Sequence, residues 1–257
     1  MKILLVNGSP RKKNTFNILK TIQEDFNLKQ YETEIITLSD YVIKSCVGCY
    51  KCVLDGKEKC PLKDDVDNIW RKFLEADGIV LSAPVYALGV PGTFKNFIDR
   101  VAYNAHRPLM YNKPTIIVST TAGMGTEKVI EQLKWFEISG LKIIGAKGFM
   151  IYPIGEATPK IADSNAKSLK MLIKKLEHEM AKEKEKKPTL LQIIQFYGLK
   201  LNCNFGKDVY KADYEYFQHK QYHKEIKINP VKELFGKILY KIGTAALRSS
   251  VNLEKRT

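Results

Sequence analysis

Apolar and polar positions along the chain follow two alternating rhythms. Short, almost continuous apolar runs occur at "KILLVN" (2–7), "TEIITL" (33–38), "GIVLSA" (78–83), "TIIVST" (115–120) and "KIIGAKGFMIY" (142–152), and each reads as a strand. Between them, apolar residues recur every three or four positions. Ile18, Leu19, Ile22 and Phe26 place a helix over 15–28, and Val66, Ile69, Trp70, Phe73 and Leu74 place another over 64–76, whose acidic start suits the positive end of a helix dipole. Further helices are predicted over 93–103, over 126–140 with a stop at Gly140, and over the charged stretch 160–187 that ends before Pro188.

Strands that are apolar on both faces and alternate with helices belong in a parallel sheet covered on both sides. Five such units in about 185 residues predict an open doubly wound α/β domain, in which ligands bind beyond the carboxyl ends of the strands. Residues 188–257 lie outside this alternation. There "PTLLQIIQFYGLKLN" starts an apolar helix, "DVYKADYEYFQHKQYHKE" is rich in aromatics, and 229–248 is a second helix. On that second helix Val231, Leu234, Phe235, Ile238, Leu239, Ile242 and Ala246 share one face, opposite lysines. The domains expected are thus 1–187 and a basic, mostly helical 188–257. The apolar face of the last helix is expected to pack on its own domain or on a second subunit, in preference to peripheral contact with a membrane.

Charge sharpens this division. Lys and Arg number 42 against 28 Asp and Glu, a net +14, and residues 182–257 hold 16 of those bases against 8 acids. Such an excess suits an anionic partner or a solvated surface. No nucleic-acid motif accompanies it, so no nucleic acid is expected. No apolar run approaches the roughly 20 residues that cross a bilayer, and "MKILLVNGSP" has too short an apolar run for a signal peptide. The expected location is therefore cytoplasmic, where clustered cysteines serve metals or redox chemistry more often than disulfides.

Three strand-end loops carry candidate chemistry. "NGSPRKKNT" offers Gly8 for a tight turn, Ser9, Asn14 and Thr15 as donors, and Arg11, Lys12 and Lys13 as charge, directly before a helix N-terminus. That arrangement suits a phosphate, although it matches neither Gly-x-x-x-x-Gly-Lys-Ser/Thr nor Gly-x-Gly-x-x-Gly. "APVYALGVPGTFKNFIDR" presents Tyr86 on an irregular backbone, and "TTAGMGTE" can bring amides close to a planar ligand. A phosphate cup and two walls for a flat ring would result.

The run "CVGCYKCVLDGKEKC" holds four of the five cysteines as C-x2-C-x2-C-x7-C, with Pro61 after the last. Ferredoxin cluster loops use the first three spacings and a more distant fourth cysteine before proline. A structural zinc and uncoordinated thiols remain alternatives. Cys203 reads as a small buried or surface residue, and His106 as a surface residue.

Taken together, "GSPRKKNT", "APVYALGVPGTFKNFIDR" and "TTAGMG" resemble the NAD(P)H-dependent FMN reductases of the flavodoxin-like superfamily. The cysteine run between the second strand and "KDDV" resembles the iron–sulfur flavoprotein branch. The resemblance covers about residues 1–180, with a phosphate loop about one residue shorter than many relatives'. It implies a five-stranded sheet of order 2-1-3-4-5 and non-covalent FMN. The phosphate would lie near Ser9, Arg11, Asn14 and Thr15. The ring would lie near Pro84, Val85, Tyr86 and Ala87, with Thr121, Ala122 and Gly123 across it. It further implies a 4Fe–4S cluster on Cys46, Cys49, Cys52 and Cys60, and subunit pairing as a homo-oligomer. The activity expected is FMN-dependent electron transfer between NAD(P)H or ferredoxin and a small acceptor. The alternatives are an NAD(P)H:flavin or quinone reductase without a cluster, and a non-catalytic module using the basic tail. No side chain stands out as a general acid or base.

Overall fold

The computed structural model describes residues 1–152, 154–182, 188–220, 222 and 228–250. Five strands, β1 (Lys2–Asn7), β2 (Glu32–Thr37), β3 (Gly78–Pro84), β4 (Lys113–Thr121) and β5 (Leu141–Met150), form one sheet of order β2-β1-β3-β4-β5. Every pairing is parallel, and the one register shift, between Thr115 and Ile116, lies in the β4–β5 ladder. Helices α1 (Asn14–Leu28), α3 (Val66–Glu75), α4 (Gly92–Arg100) and α5 (Thr126–Leu133) lie in the crossovers, α6 (Pro159–Ala181) follows β5, and together they cover the sheet. This is the flavodoxin-like order expected from the resemblance.

Period-two alternation divides the strands between two apolar layers. Ile3, Leu5, Val80, Ile116 and Val118 pack with Leu19, Ile22 and Phe26 of α1 and Leu172, Ile173 and Leu176 of α6. Their neighbours Leu4, Val6, Ile79, Leu81 and Ile117 pack with an aromatic layer of Trp70, Phe73, Phe97 and Phe136. Ring centroids there are 5.4 Å apart for Phe73–Phe97 and 5.9 Å for Phe73–Phe136. The predicted helix over 126–140 is shorter in the structure: α5 ends at Leu133, and a tighter 3-10 turn over Lys134–Glu137 carries Phe136 onto that layer. The chain then reverses at Gly140 (φ +107°), where a Cβ would stand 2.9 Å from the carbonyl carbon of Met110.

The chain divides into two compact units, and they do not follow chain order. The first comprises Met1–Val47, Leu62–Ala102 and Leu109–Lys184; the second comprises Gly48–Pro61, Tyr103–Pro108 and Glu185–Thr257. Most of the cysteine run therefore falls with the C-terminal helices and not with the sheet. The second unit is built from α2 (Lys51–Leu54), α7 (Leu190–Phe205), α8 (Lys211–Phe217) and α9 (Pro230–Ser250). A capping box starts α7: the Gln192 amide donates to Thr189 Oγ1 (3.2 Å) and the Thr189 amide to Gln192 Oε1 (2.9 Å). Phe196 is its core, with Phe217 at 5.3 Å and Tyr222 at 4.9 Å between centroids.

Helix α9 lies along α7 through its small residues. A Cβ on Gly236 would stand 2.2 Å from the Tyr197 ring, and one on Gly243 2.6 Å from Leu201. The expectation that its large apolar side chains pack on their own domain is not met: Val231, Leu234, Phe235, Ile238 and Ile242 are exposed.

Candidate functional site

The first unit places the carboxyl ends of β1, β3 and β4 side by side, and the three predicted loops leave from them. After β1 the chain is held close to β3, because the Gly8 amide donates to Ser82 O at 2.8 Å. A Cβ on Gly8 would lie 2.2 Å from the Phe94 ring and 2.8 Å from Ser82 O, so only glycine allows that approach. Asn7 is fully buried and ties the turn to itself: its Nδ2 donates to Ser9 O and its Oδ1 accepts from the Ser9 amide, both at 3.1 Å. The Ser9 hydroxyl in turn accepts from the Arg11 amide at 3.2 Å.

This turn opens into the fifteen-residue α1, whose N-terminus has no side-chain cap and no acid in its first turn. Uncapped first-turn amides and the positive end of the dipole favour an anion there. Arg11, Lys12, Lys13 and Asn14 are exposed at this end, while Ser9 and Thr15 are buried. The basic residues are not equivalent. Lys12 is committed to Asp40, 2.7 Å away, and Lys13 is the residue before the helix, leaving Arg11 as the exposed guanidinium donor beside the turn. Thr15 bridges to the neighbouring loop through a 2.7 Å hydroxyl pair with Thr120.

The second loop forms a tight turn at Tyr86–Gly89. The Tyr86 amide donates to Gly89 O (2.8 Å) and the Gly89 amide to Tyr86 O (2.9 Å). Ala87 (φ 48°) and Leu88 (φ 61°) between them are both left-handed without being glycine. Left-handed conformations cost non-glycine residues energy, and such strain collects at functional sites. The amides of Ala87 and Leu88 have no hydrogen-bond partner among the described residues. Pro84 and Val85 are half-buried, and Tyr86 and Ala87 exposed.

The third loop is pinned by Thr121, whose hydroxyl donates to Met124 O (3.0 Å) and accepts from the Gly123 amide (3.1 Å). Gly125 (φ +97°) lets it approach the second loop, since a Cβ there would meet Leu88 at 2.9 Å and Val85 at 3.0 Å. Ala122 and Gly123 are exposed at its tip. Thus Ser9, Arg11, Asn14 and Thr15 fall on one loop, Pro84–Ala87 on the next and Thr121–Gly123 on the third, all at one edge of the sheet. The uncapped helix end and the glycine-dependent approach of the three loops fit a phosphate-bearing planar cofactor such as FMN.

The cysteine excursion is fastened at its stem within the same unit. Arg100, buried, makes a bidentate pair with Asp64 and donates to Lys44 O (3.0 Å) and Leu62 O (3.3 Å). Asp64 also accepts from the amides of Lys44 (2.8 Å) and Val66 (3.2 Å). Burial pushes its carboxyl up, but Arg100 and these two amides outweigh that and hold it below the usual carboxylate range. The chain is therefore gripped just before Cys46 and just after Cys60.

Within the second unit a different arginine holds the excursion's middle. Arg107 donates to the carbonyls of Cys52 and Val53 (3.1 Å for the latter) and is itself held by Asp213 of α8. Asp213 is only 2% exposed and takes its second bond from His106 Nδ1 at 2.7 Å. His106, half-buried, is therefore also a structural partner. Helix α2, with Cys52 in it, packs on α8. Gly48 (φ 66°) and Tyr50 (φ 56°) are both left-handed and curl the chain ahead of it.

Cys46 and Cys49 are exposed and Cys52 and Cys60 half-buried, and none of the four is in a disulfide. Among the described residues no three His, Cys, Asp or Glu stand close enough together to hold a metal ion. The four thiols suit an iron–sulfur cluster by their chemistry and spacing; their assembly around one is not displayed. Cys203 is buried, donates to Lys200 O (3.3 Å) and has its thiol pushed up to about 11 by burial, so it is an inert packing residue. His219, in the segment after α8, is exposed.

Sequence reasoning missed Arg107, Asp213 and Arg100, because each acts across 36 to 107 positions of chain. Known proteins resemble the chain in sequence and in fold. An iron–sulfur flavoprotein of Archaeoglobus fulgidus is 46% identical over 100 residues, 39% of this chain and 48% of that one. A second from the same organism is 29% identical over 228 residues, 86% of this chain and 99% of that one. One from Methanocaldococcus jannaschii is 36% identical over 156 residues, 56% and 76% respectively. Among solved structures, RosB with a bound 8-demethyl-8-formylriboflavin-5'-phosphate intermediate shares the fold at TM-score 0.55 and 16% identity, over 70% of this chain and 79% of that one. The family described as NADPH-dependent FMN reductase matches residues 1–152, more than half of the chain, and with the sheet order and loop geometry this shows that the chain belongs to that family.

Proposed function

We propose that the protein is an FMN oxidoreductase that takes electrons from NAD(P)H or a ferredoxin-type carrier and passes them to a small acceptor, with a 4Fe–4S cluster on Cys46, Cys49, Cys52 and Cys60. The observation that carries the flavin assignment is the uncapped N-terminus of α1 beside Arg11, in a turn that Gly8 brings onto β3, next to two loops that Gly125 brings together. Bound FMN supplies hydride and single-electron chemistry, and a cluster would supply single-electron chemistry. The chain's own part is positional. Arg11, Ser9 and the first-turn amides neutralise a phosphate dianion. The unpartnered amides of Ala87 and Leu88 offer donors to charge that develops on a reduced ring. Among the described residues no buried acid or base stands in these three loops, and the residues named serve to bind and orient.

The relatives named iron–sulfur flavoproteins, and the four cysteines in a run whose two ends Arg100 holds at Lys44 and Leu62, support the cluster. Purification without oxygen, followed by an absorption spectrum with iron and sulfide assays, tests both parts. Flavin bands with about four iron and four sulfide per chain are expected. Flavin bands without iron would leave the simpler NAD(P)H:flavin or quinone reductase. Absence of any bindable flavin would refute the proposal. A Cys52→Ser variant is expected to lose the iron and keep the flavin.

A further inference from the structure

Helix α9 turns its glycines inward and its bulk outward. Gly236 and Gly243 face α7, while Val231, Leu234, Phe235, Ile238 and Ile242 are 39–74% exposed. At about 100° per residue these five fall in one row about 16 Å long. Lys237, Lys241 and Arg248, all exposed, follow along one flank of it. Leu234 and Ile238 also line a groove of about 500 Å³, together with Tyr197, Tyr240, Lys200, Lys237, Lys241 and Glu233. The one acid of α9, Glu233, is already used by Lys237 of the same helix, 2.6 Å away. The second unit as a whole carries 18 Lys and Arg against 9 Asp and Glu.

These features choose among the possible occupants. Isologous pairing of two α9 faces would bring Lys237 and Lys241 of each copy together with no spare acid on the helix. A nucleic acid would meet the lysines but leave the aliphatic row without a stacking partner. An interface with anionic headgroups above and acyl chains below satisfies both at once. We propose that α9 seats the protein on an anionic phospholipid surface. Leu234, Phe235, Ile238 and Ile242 then enter the acyl boundary, while Lys237 and Lys241 meet phosphates. The helix lies in the interface and does not cross it; among the described residues no helix is long and apolar enough to do so.

The test is co-sedimentation of the full chain with vesicles of phosphatidylcholine alone and of phosphatidylcholine with one quarter phosphatidylglycerol. Binding to the anionic vesicles is expected, with little to the neutral ones and a several-fold loss at about 0.5 M salt. Leu234→Gln, Ile238→Gln and Ile242→Gln combined should lower partitioning roughly a hundredfold. All three side chains are exposed, so circular dichroism should show the variant folded. A Phe235→Trp variant should in addition be quenched by brominated acyl chains. Failure to bind anionic vesicles would overturn the proposal. So would undiminished binding by the triple variant, or no quenching at position 235, since either means adsorption through lysines elsewhere. A lipid-free dimer that the triple variant dissociates would assign the face to a second copy instead.

Discussion

Replacing Asp213 by Asn tests the arrangement that holds the middle of the cysteine run. The carboxylate is 2% exposed and is shared between Arg107 and His106. Arg107, whose side chain is 13% exposed, uses its remaining donors on the carbonyls of Cys52 and Val53. Removing one member of a buried ion pair costs about 3–5 kcal/mol, because the other charge stays buried and unpaired. Partial exposure of Arg107 lowers that to about 2–3 kcal/mol, or roughly 30- to 150-fold in a local opening equilibrium. The loss should fall on α2, whose amides at Val53, Leu54 and Asp55 bond to the carbonyls of Tyr50 and Lys51. Hydrogen exchange read at those amides is the assay, with thiol labelling of Cys52 alongside. Both should accelerate in Asp213→Asn, with no change in an exposed control, Glu215→Gln. Arg107→Lys should fall between, since one ammonium cannot serve two carbonyls and a carboxylate at fixed geometry. Unchanged exchange at 53–55 in a folded Asp213→Asn protein would refute the reasoning and leave Arg107 a spectator.

The stem of the loop makes a pH prediction. Asp64 has its carboxyl held below the usual range in the folded protein, so its contribution is complete above the unfolded value, near 3.8, and is lost as pH falls through the lower folded one. Asp64→Asn should therefore lower the melting temperature at pH 7 and flatten its fall below pH 4; an unaltered acid limb would contradict the assignment. Gly8→Ala drives a Cβ to 2.2 Å from Phe94, and overpacking of this kind costs about 1–3 kcal/mol, so both FMN affinity and melting temperature should fall in fluorescence and thermal titrations. Arg11→Ala removes a charged donor worth about 1.5–3 kcal/mol, so FMN should bind roughly 10- to 150-fold more weakly with no loss of melting temperature in the flavin-free protein. Lys12→Ala, by contrast, should change FMN affinity little, because Lys12 is already held by Asp40.

The sequence by itself determined the sheet, and for a definite reason. Strand runs such as "KILLVN" and "GIVLSA" carry consecutive apolar residues, so both faces have to be covered, and the intervening 3.6-residue periodicity says by what. The three loops were legible too, because glycine, proline and basic residues at strand ends have chemical consequences that need no partner from elsewhere in the chain. The four thiols announced themselves by spacing alone.

Tertiary structure decided what these loops are fastened to. Asp213 sits among tyrosines in "KADYEYF" with no local signal, and becomes the anchor of Arg107 only when residues 106 positions apart meet. Asp64 reads as a helix-starting acid, and its pairing with Arg100 is a product of packing. Position in the chain did not settle membership either, since residues 48–61 fold with the C-terminal helices and not with the strands that flank them. The last helix is the clearest case. Periodicity marked its apolar face correctly but could not say which side would turn inward. Close approach to Tyr197 and Leu201 selected Gly236 and Gly243 for that role, and left the larger side chains outside. Hydrophobic pattern reports which residues share a face; steric fit between helices determines which face is buried.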